Sequence, residues 1–315
     1  MALRVLFFGT PAFATPTLAR LFESAHQVVA VVTQPDRRRG RGQRVMPGAV
    51  KALASGRALP ILQPERLRDE SFLGAVRDLA PDVGVVAAYG RLLPQVLLDL
   101  PARGMLNVHA SLLPRWRGAA PVHRAMIAGD AVTGVTIMRV VLALDAGPMV
   151  DRVSTAIDPR ETSEALEARL ADLGADLLAA TLDRLAAGSL AAEPQDETLV
   201  TYAKRLERAD SQVDWARPAV AVHNQIRGLH PWPLAAARLQ GRRVMFHRSE
   251  VTSSAAGATA APPGTIVRAG PDALDVATER DIVSIREVQL EGKKPVTVGA
   301  LLNGWTILSG ERFEA

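Results

Sequence analysis

The sequence predicts an α/β protein in two parts: a doubly wound, Rossmann-like domain, then a smaller domain of short strands forming a β-barrel or sandwich. Three observations carry this. Short apolar runs, most ending near a glycine or proline, alternate with stretches of helical spacing through the first half of the chain. That alternation stops near Gly188, and beyond Trp215 the apolar runs are short, β-like and separated by Gly, Pro, Ser and Asp. The chain has 315 residues, too many for one comfortable core and suited to two domains.

Taken in order, "LRVLFFG" is continuous and apolar, as a parallel strand buried on both faces must be. "ATPTLARLFES" then repeats its apolar residues at helical spacing, and "QVVAVVTQP" is a second buried strand. The helical patterns "VKALASGRA" and "SFLGAVRDL" lead to the strand "DVGVVAAYG", and "GMLNVHAS" is another. "GVTIMRVVLALDAGPM" holds a further apolar strand and then a glycine-flanked loop. The long helix "SEALEARLADLGADLLAATLDRLAAG" closes the first domain. "SLAAEPQDETLVTYAKRLERADSQVDW" is polar and weakly periodic, as a linker would be. One helix, "RPAVAVHNQIRGL", precedes the strands "RRVMFHRS", "GTIVRAG", "ALDVAT" and "IVSIREVQL". The expected boundaries are therefore residues 1–189 for the first domain, 190–208 for the linker and 209–315 for the C-terminal domain.

Composition narrows the chemistry. With no cysteine, disulfides, thiolate–metal sites and cysteine nucleophiles are excluded. The six histidines show no metal-binding spacing, so no metal is expected. The first strand ends in "GTPAFA", with one glycine where a dinucleotide fingerprint needs three, and no phosphate-binding P-loop occurs. The N-terminus fits a signal peptide poorly, and no apolar run is long enough to span a bilayer. A cytoplasmic protein with no membrane partner is expected.

Two features stand out. In "NVHASLLPRWRGAAP", Asn107 and His109 are two apart, so on a strand both face one side. They sit at the C-terminal end, where open α/β sheets bind ligands. Asp145 lies in the later glycine-flanked loop. Each residue taken singly has an ordinary structural reading. The second feature is "DRRRGRGQR", Asp36 to Arg44, whose charge of +4 equals that of the whole chain. An arginine-rich, glycine-broken stretch suits a polyanionic partner.

The motif "NVHASLLPRWRGAAP" resembles the signature of the folate-dependent formyltransferases, and in particular of those members that act on an aminoacylated initiator tRNA. The resemblance continues through "FFGTPAFA", "TQPDRRRGRGQRVMP", "VVAAYGRLLP", "TGVTIM", "LDAGPM", "PQDETLVTYAKRL", "VDW" and "HPWP", nearly end to end. It implies transfer of the formyl group of 10-formyltetrahydrofolate to the α-amine of methionyl-initiator tRNA. Asn107, His109 and Asp145 match the family's catalytic positions. Ser111, Leu112, Leu113 and Pro114 match its folate-contacting loop, with Ala87, Tyr89 and Gly90 expected beside the pterin. Arg41 matches the arginine used against the acceptor arm, with Arg37 and Arg44 as phosphate contacts. The resemblance makes the C-terminal domain OB-like and tRNA-binding, and a monomer is expected.

The chain departs from the pattern at Val141, Ala143 and Ala146, where the family more often has an acid, a glycine and a threonine. From Trp215 to Ser249 there are six arginines and no acid, which suggests a phosphate-binding surface including Arg242 and Arg243. A formyltransferase or formyltetrahydrofolate hydrolase acting on a small substrate would share the Asn/His/Asp set but lack the arginine stretch and the basic C-terminal domain. A non-catalytic RNA-binding protein is the reading from another class.

Overall fold

The computed structural model describes residues 1–39, 44–252 and 261–314, and chain contacts divide them into two units. Unit 1 comprises Met1–Pro121, Thr133–Thr155 and Glu167–Ala203; unit 2 comprises Val122–Val132, Ala156–Leu166 and Lys204–Ala315.

Unit 1 opens with β1 (Arg4–Gly9), α1 (Ala14–Glu23) and β2 (Gln27–Val32). The arginine stretch forms β3 (Arg37–Arg39) and β4 (Arg44–Met46), and α2 (Ala49–Ala54) and β5 (Ile61–Leu62) follow. Next come α3 (Glu70–Asp78), β6 (Val83–Ala87), α4 (Gln95–Leu98), β7 (Met105–His109) and β8 (Arg117–Gly118). After α5 (Pro121–Ala128) the chain returns through β9 (Val132–Arg139), β10 (Met149–Ala156), α6 (Ser163–Ala187) and β11 (Tyr202–Ala203).

The main sheet has the order β10-β9-β7-β6-β1-β2-β5. β1 pairs in parallel with both β2 and β6, so strand order reverses between β1 and β6. This is the doubly wound topology that places ligands at the C-terminal edge. β7 pairs in parallel with β6 and antiparallel with β9.

The two faces of the sheet are filled differently. Leu6, Phe8, Val32, Val86 and Met105 join Phe72, Leu73, Val76 and Leu97 in one cluster, which is the face α3 and α4 cover. Asn107 and His109 continue the Met105 side of β7, so they emerge from this face where its apolar filling ends. On the other face α6 lies close to the sheet at Gly174, where a Cβ would come within 2.7 Å of Val108.

Unit 2 continues with α7 (Ala219–Gly228), β12 (Ala235–Leu239), β13 (Arg242–Thr252), β14 (Ile266–Ala269), β15 (Leu274–Ala277), β16 (Ile282–Leu290), β17 (Val296–Thr297) and α8 (Val298–Leu302). Its OB-like antiparallel sheet runs β12-β13-β16-β15-β14, with β17 on β16. Trp215, Phe246 and Phe313 pack ring on ring, with centroids 5.2–5.7 Å apart. Aromatic packing of this kind anchors a small core.

One sequence expectation changes. The stretch 190–208 is not an unattached spacer. Glu193 bridges Met149, and Tyr202–Ala203 pair with Arg117–Gly118, so the segment as far as Ala203 is built into unit 1. Apolar periodicity could not reveal this, because the attachment is made by polar groups. At the two described ends of the arginine stretch, β3 and β4 pair antiparallel, with Arg37 opposite Met46 and Arg39 opposite Arg44.

Candidate functional site

β7 carries Asn107 and His109 to the edge of the sheet, and His109 is 5% exposed. The Asn107 carboxamide is partly exposed and makes no hydrogen bond among the described residues. Its NH₂ is thus left to a ligand.

His109 Nε2 lies 3.0 Å from the carbonyl oxygen of Trp116. A carbonyl only accepts, so Nε2 carries a proton and donates it. Nδ1 is therefore the nitrogen left without that partner, and it faces Asp145 Oδ2 at 3.8 Å. That separation is too long for a direct hydrogen bond and leaves the pair able to share a proton with a third group.

Asp145 arrives by an indirect route. β9 runs antiparallel to β7 and ends at Arg139 opposite Leu106. The loop that follows folds back to the His109 side. Asp145 sits at φ +48°, a left-handed conformation that an Asp tolerates better than most residues. The Gly118 amide donates to Asp145 Oδ2 at 2.9 Å. A Cβ on Gly147 would lie 1.8 Å from the Arg139 carbonyl oxygen, so only glycine closes this loop. Val141, Leu142 and Leu144 are exposed, so apolar packing does little to hold it.

A carboxamide from the 190–203 segment holds it instead. Gln195 Nε2 donates to the carbonyl oxygens of both Asp145 and Gly147, each at 2.8 Å. Gln195 Oε1 accepts from Arg117 Nε at 2.9 Å. Arg117 is 3% exposed, and its remaining nitrogens donate to the Glu197 carboxylate at 2.8 and 3.3 Å. Thr201 Oγ1 accepts from the Trp116 amide at 2.9 Å, fixing the residue whose carbonyl holds His109. Sequence reasoning left out Gln195, Glu197 and Thr201 as site residues. The signal was "PQDETLVTYAKRL", which the resemblance included and the linker reading hid.

The Ser111–Pro114 turn is pinned to β9. Thr136 Oγ1 donates to the Ser111 carbonyl at 2.7 Å and accepts from the Leu113 amide at 3.1 Å. Ser111 Oγ donates to the Arg115 carbonyl, Leu113 is buried against Met138 and Met149, and Leu112 and Pro114 remain partly exposed. At the end of β6, Ala87 is buried, while Ala88 and Gly90 are exposed at φ +46° and +78°. Tyr89 differs from the expectation. Its side chain is 1% exposed and packs edge-on against Phe8 in the core, where burial pushes its hydroxyl above the ordinary tyrosine range. Only its backbone can serve a ligand, and its carbonyl already accepts from Gln34.

In the arginine hairpin, Arg37 is exposed, Arg44 lies in the stem, and Arg41 lies outside the described residues. The base is anchored: Lys51 Nζ donates to Asp36 Oδ2 at 2.6 Å and to Gln63 Oε1 at 2.7 Å, and Gln63 donates to Asp36 Oδ1. The Lys51 hydrogen bond, with that from Gln63, holds the Asp36 carboxyl below the usual carboxylate range.

In unit 2, Arg242 is exposed with its guanidinium 5.0 Å from the Trp305 ring centroid, and Arg243 is half-buried opposite Arg238. The acid-free run of sequence is not acid-free in space. Arg248 approaches Glu287 at 3.7 Å, and Arg227 is buried on Asn224 and the Asp158 carbonyl. Arg227 is a structural residue rather than part of a phosphate-binding face. Among the described residues no group of histidines and acids has the geometry to hold a metal ion, and no helix is long and apolar enough to cross a membrane.

The formyl transferase family model matches residues 2–182, and the formyl transferase C-terminal domain model matches residues 205–306. The methionyl-tRNA formyltransferase of Geotalea daltonii is 45% identical over 311 residues, 99% of this chain and 98% of that relative. That of Stutzerimonas stutzeri is 45% identical over 301 residues, 96% of this chain and 94% of that relative. Among solved structures, the sugar 3N-formyl transferase WlaRD, determined with dTDP and 5-N-formyl-THF, has a TM-score of 0.69 at 14% identity. The match covers 93% of this chain and 100% of WlaRD, and at that identity the likeness is one of fold.

Proposed function

The chain belongs to the formyl transferase family, and on that footing we propose that it transfers the formyl group of 10-formyltetrahydrofolate to the α-amine of methionyl-initiator tRNA. The products are formylmethionyl-tRNA, used in translation initiation, and tetrahydrofolate. The observation that carries this reading is the near-full-length identity to methionyl-tRNA formyltransferases in a chain that keeps Asn107, His109 and Asp145 in one site.

The reaction needs an oxyanion stabiliser and a proton carrier. The amine attacks the formyl carbon and its C=O electrons move to oxygen. The free Asn107 carboxamide donates to that oxygen, and one such donor is worth about 3–4 kcal/mol in the transition state. The amine must lose one proton and N10 of the folate must gain one as the C–N10 bond breaks. His109 Nδ1 and Asp145 Oδ2 form the relay for that proton, while Nε2–H stays fixed on the Trp116 carbonyl. Protons that move within such a close pair belong to the pair rather than to one member.

Half-buried Leu112 and exposed Ala88 and Gly90 supply an apolar wall with backbone polar groups, chemistry that suits a pterin. Ser111, Leu113 and Pro114 shape that turn, and Ala87 and the Tyr89 backbone support its other side. Arg37, Arg41 and Arg44 serve the acceptor arm, and Arg242 and Arg243 serve tRNA phosphates. The catalytic set comes from one chain, so a monomer suffices, and the substrate places the enzyme in the cytoplasm.

A transfer assay tests the reading. 10-Formyltetrahydrofolate is offered with charged initiator tRNA, charged elongator tRNA or free methionine. Formylation of the first alone is expected. Folate hydrolysis without transfer to any of them would point to the hydrolase alternative.

A further inference from the structure

We infer that Gln195 is the positioning residue that sets the Asp145 loop for catalysis, and that buried Arg117, held by the more exposed Glu197, sets Gln195. The inference rests on the formyl-transfer reading for what the loop does, but not for how the loop is held.

Residues 141, 142 and 144 are exposed apolar side chains, and Asp145 occupies a left-handed backbone region. Nothing in local propensity favours that conformation for the apolar residues around it. Two carbonyls in the turn, those of Asp145 and Gly147, need donors in one place. A carboxamide supplies two donors from one nitrogen and an acceptor from its oxygen. Gln195 uses both donors on these carbonyls and its acceptor on Arg117 Nε. A carboxylate at this position would keep the arginine and present oxygen to both carbonyls. The amide orientation is therefore dictated: with Arg117 on one side and two carbonyls on the other, only one flip of the Gln195 group satisfies all three.

Arg117 is itself constrained. Its guanidinium is almost wholly buried and bound to Glu197, so it cannot swing to another partner without leaving a buried charge unpaired. Its backbone belongs to β8, whose next residue, Gly118, donates to Asp145 Oδ2. One short strand thus fixes the Asp145 carboxylate directly and its main chain through Gln195. Positioning matters here because a displacement of about 1 Å in a reacting group can cost about 100-fold in rate.

The test uses the full chain with two variants and two readouts. Gln195→Glu preserves shape and the Arg117 contact but removes both donors. Its kcat should fall about 10- to 100-fold, with KM for folate and tRNA within about threefold and a displaced pH–kcat profile. Amide hydrogen exchange over residues 140–148, measured without substrates, should accelerate there and not across the rest of unit 1. Glu197→Gln changes a mostly exposed side chain, so it serves even where Gln195→Glu does not fold. It should show the same pattern at smaller amplitude. Wild-type kcat and wild-type exchange over 140–148 in either folded variant overturn the inference. So does exchange that rises throughout unit 1 with an unmoved pH profile, the mark of a merely structural residue. If the wild-type chain transfers no formyl group while Gln195→Glu still loosens only 140–148, the functional reading has failed and the loop assignment stands.

Discussion

His109 has one nitrogen committed and one available, and the commitment comes from a backbone carbonyl rather than another side chain. The Trp116 oxygen accepts from Nε2 and leaves Nδ1 toward Asp145. Asn107 is the complementary case, a carboxamide on the same strand face with no hydrogen-bond partner among the described residues. Replacing Asn107, His109 or Asp145 by alanine should lower kcat by about 100- to 10,000-fold while moving the thermal midpoint little, as paired rate and melting measurements would show. Gly147 poses the opposite balance. Gly147→Ala places a methyl group 1.8 Å from the Arg139 oxygen, so the loop must move. We expect a loss of activity together with about 1–3 kcal/mol of stability, read from kcat and urea unfolding. At this scale Asn107, His109 and Asp145, which the structure brings together, were legible in the sequence as candidates through the motifs they belong to. Tyr89 was not, because a strand end offers two sides and only packing shows that its ring turns inward onto Phe8.

Among the elements, the arginine hairpin and the 195–203 segment show how polar contacts reassign a stretch of chain. The hairpin stem is β3–β4, and its base is fixed by Lys51 across Asp36 and Gln63. Lys51→Met should therefore raise KM for tRNA while sparing KM for folate. Arg41→Ala should lower tRNA-dependent activity more than Arg38→Ala or Arg39→Ala, and should reduce the slope of log binding against log salt by about 1. Equal losses at all three arginines would make the hairpin a source of bulk charge only. The 195–203 segment reads as linker because it has no apolar period. Its attachments include one glutamine amide, one glutamate carboxylate, one threonine hydroxyl and a two-residue strand, and none of these has a periodicity to detect. The strands of the main sheet were legible for the converse reason: burial on both faces leaves a continuous apolar run in the sequence.

For the whole molecule, charge and protonation set the expected responses. tRNA binding through several arginines should weaken steeply with salt, and a flat dependence would remove multiple phosphate contacts. The C-terminal unit should also respond to acid. Burial holds His223 below the ordinary imidazole range, against the opposing effect of its bond to the Pro159 carbonyl. The unfolded chain then binds a proton more readily than the folded one. Stability is fully present above the unfolded value of about 6.5 and falls as pH drops through it toward the folded value. Urea midpoints between pH 8 and pH 5 should show this decline, and His223→Asn should flatten it.

The sequence alone determined the alternation of the main strands and helices, the family and the site of excess positive charge, and it singled out Asn107, His109 and Asp145 as candidates. Each of these is written locally, as an apolar period, a contiguous motif or a count of charges. Tertiary structure decided which nitrogen of His109 is bound to the Trp116 carbonyl, how a loop leaving an antiparallel strand returns Asp145 to it, and that Gln195 binds that loop. It also withdrew Arg227 from the basic face and turned the Tyr89 ring into the core. These outcomes depend on hydrogen bonds and packing between residues up to about 80 positions apart, such as Arg117 and Glu197. Hydrogen bonds are directional, so their pattern follows from where the backbone places donors and acceptors in space.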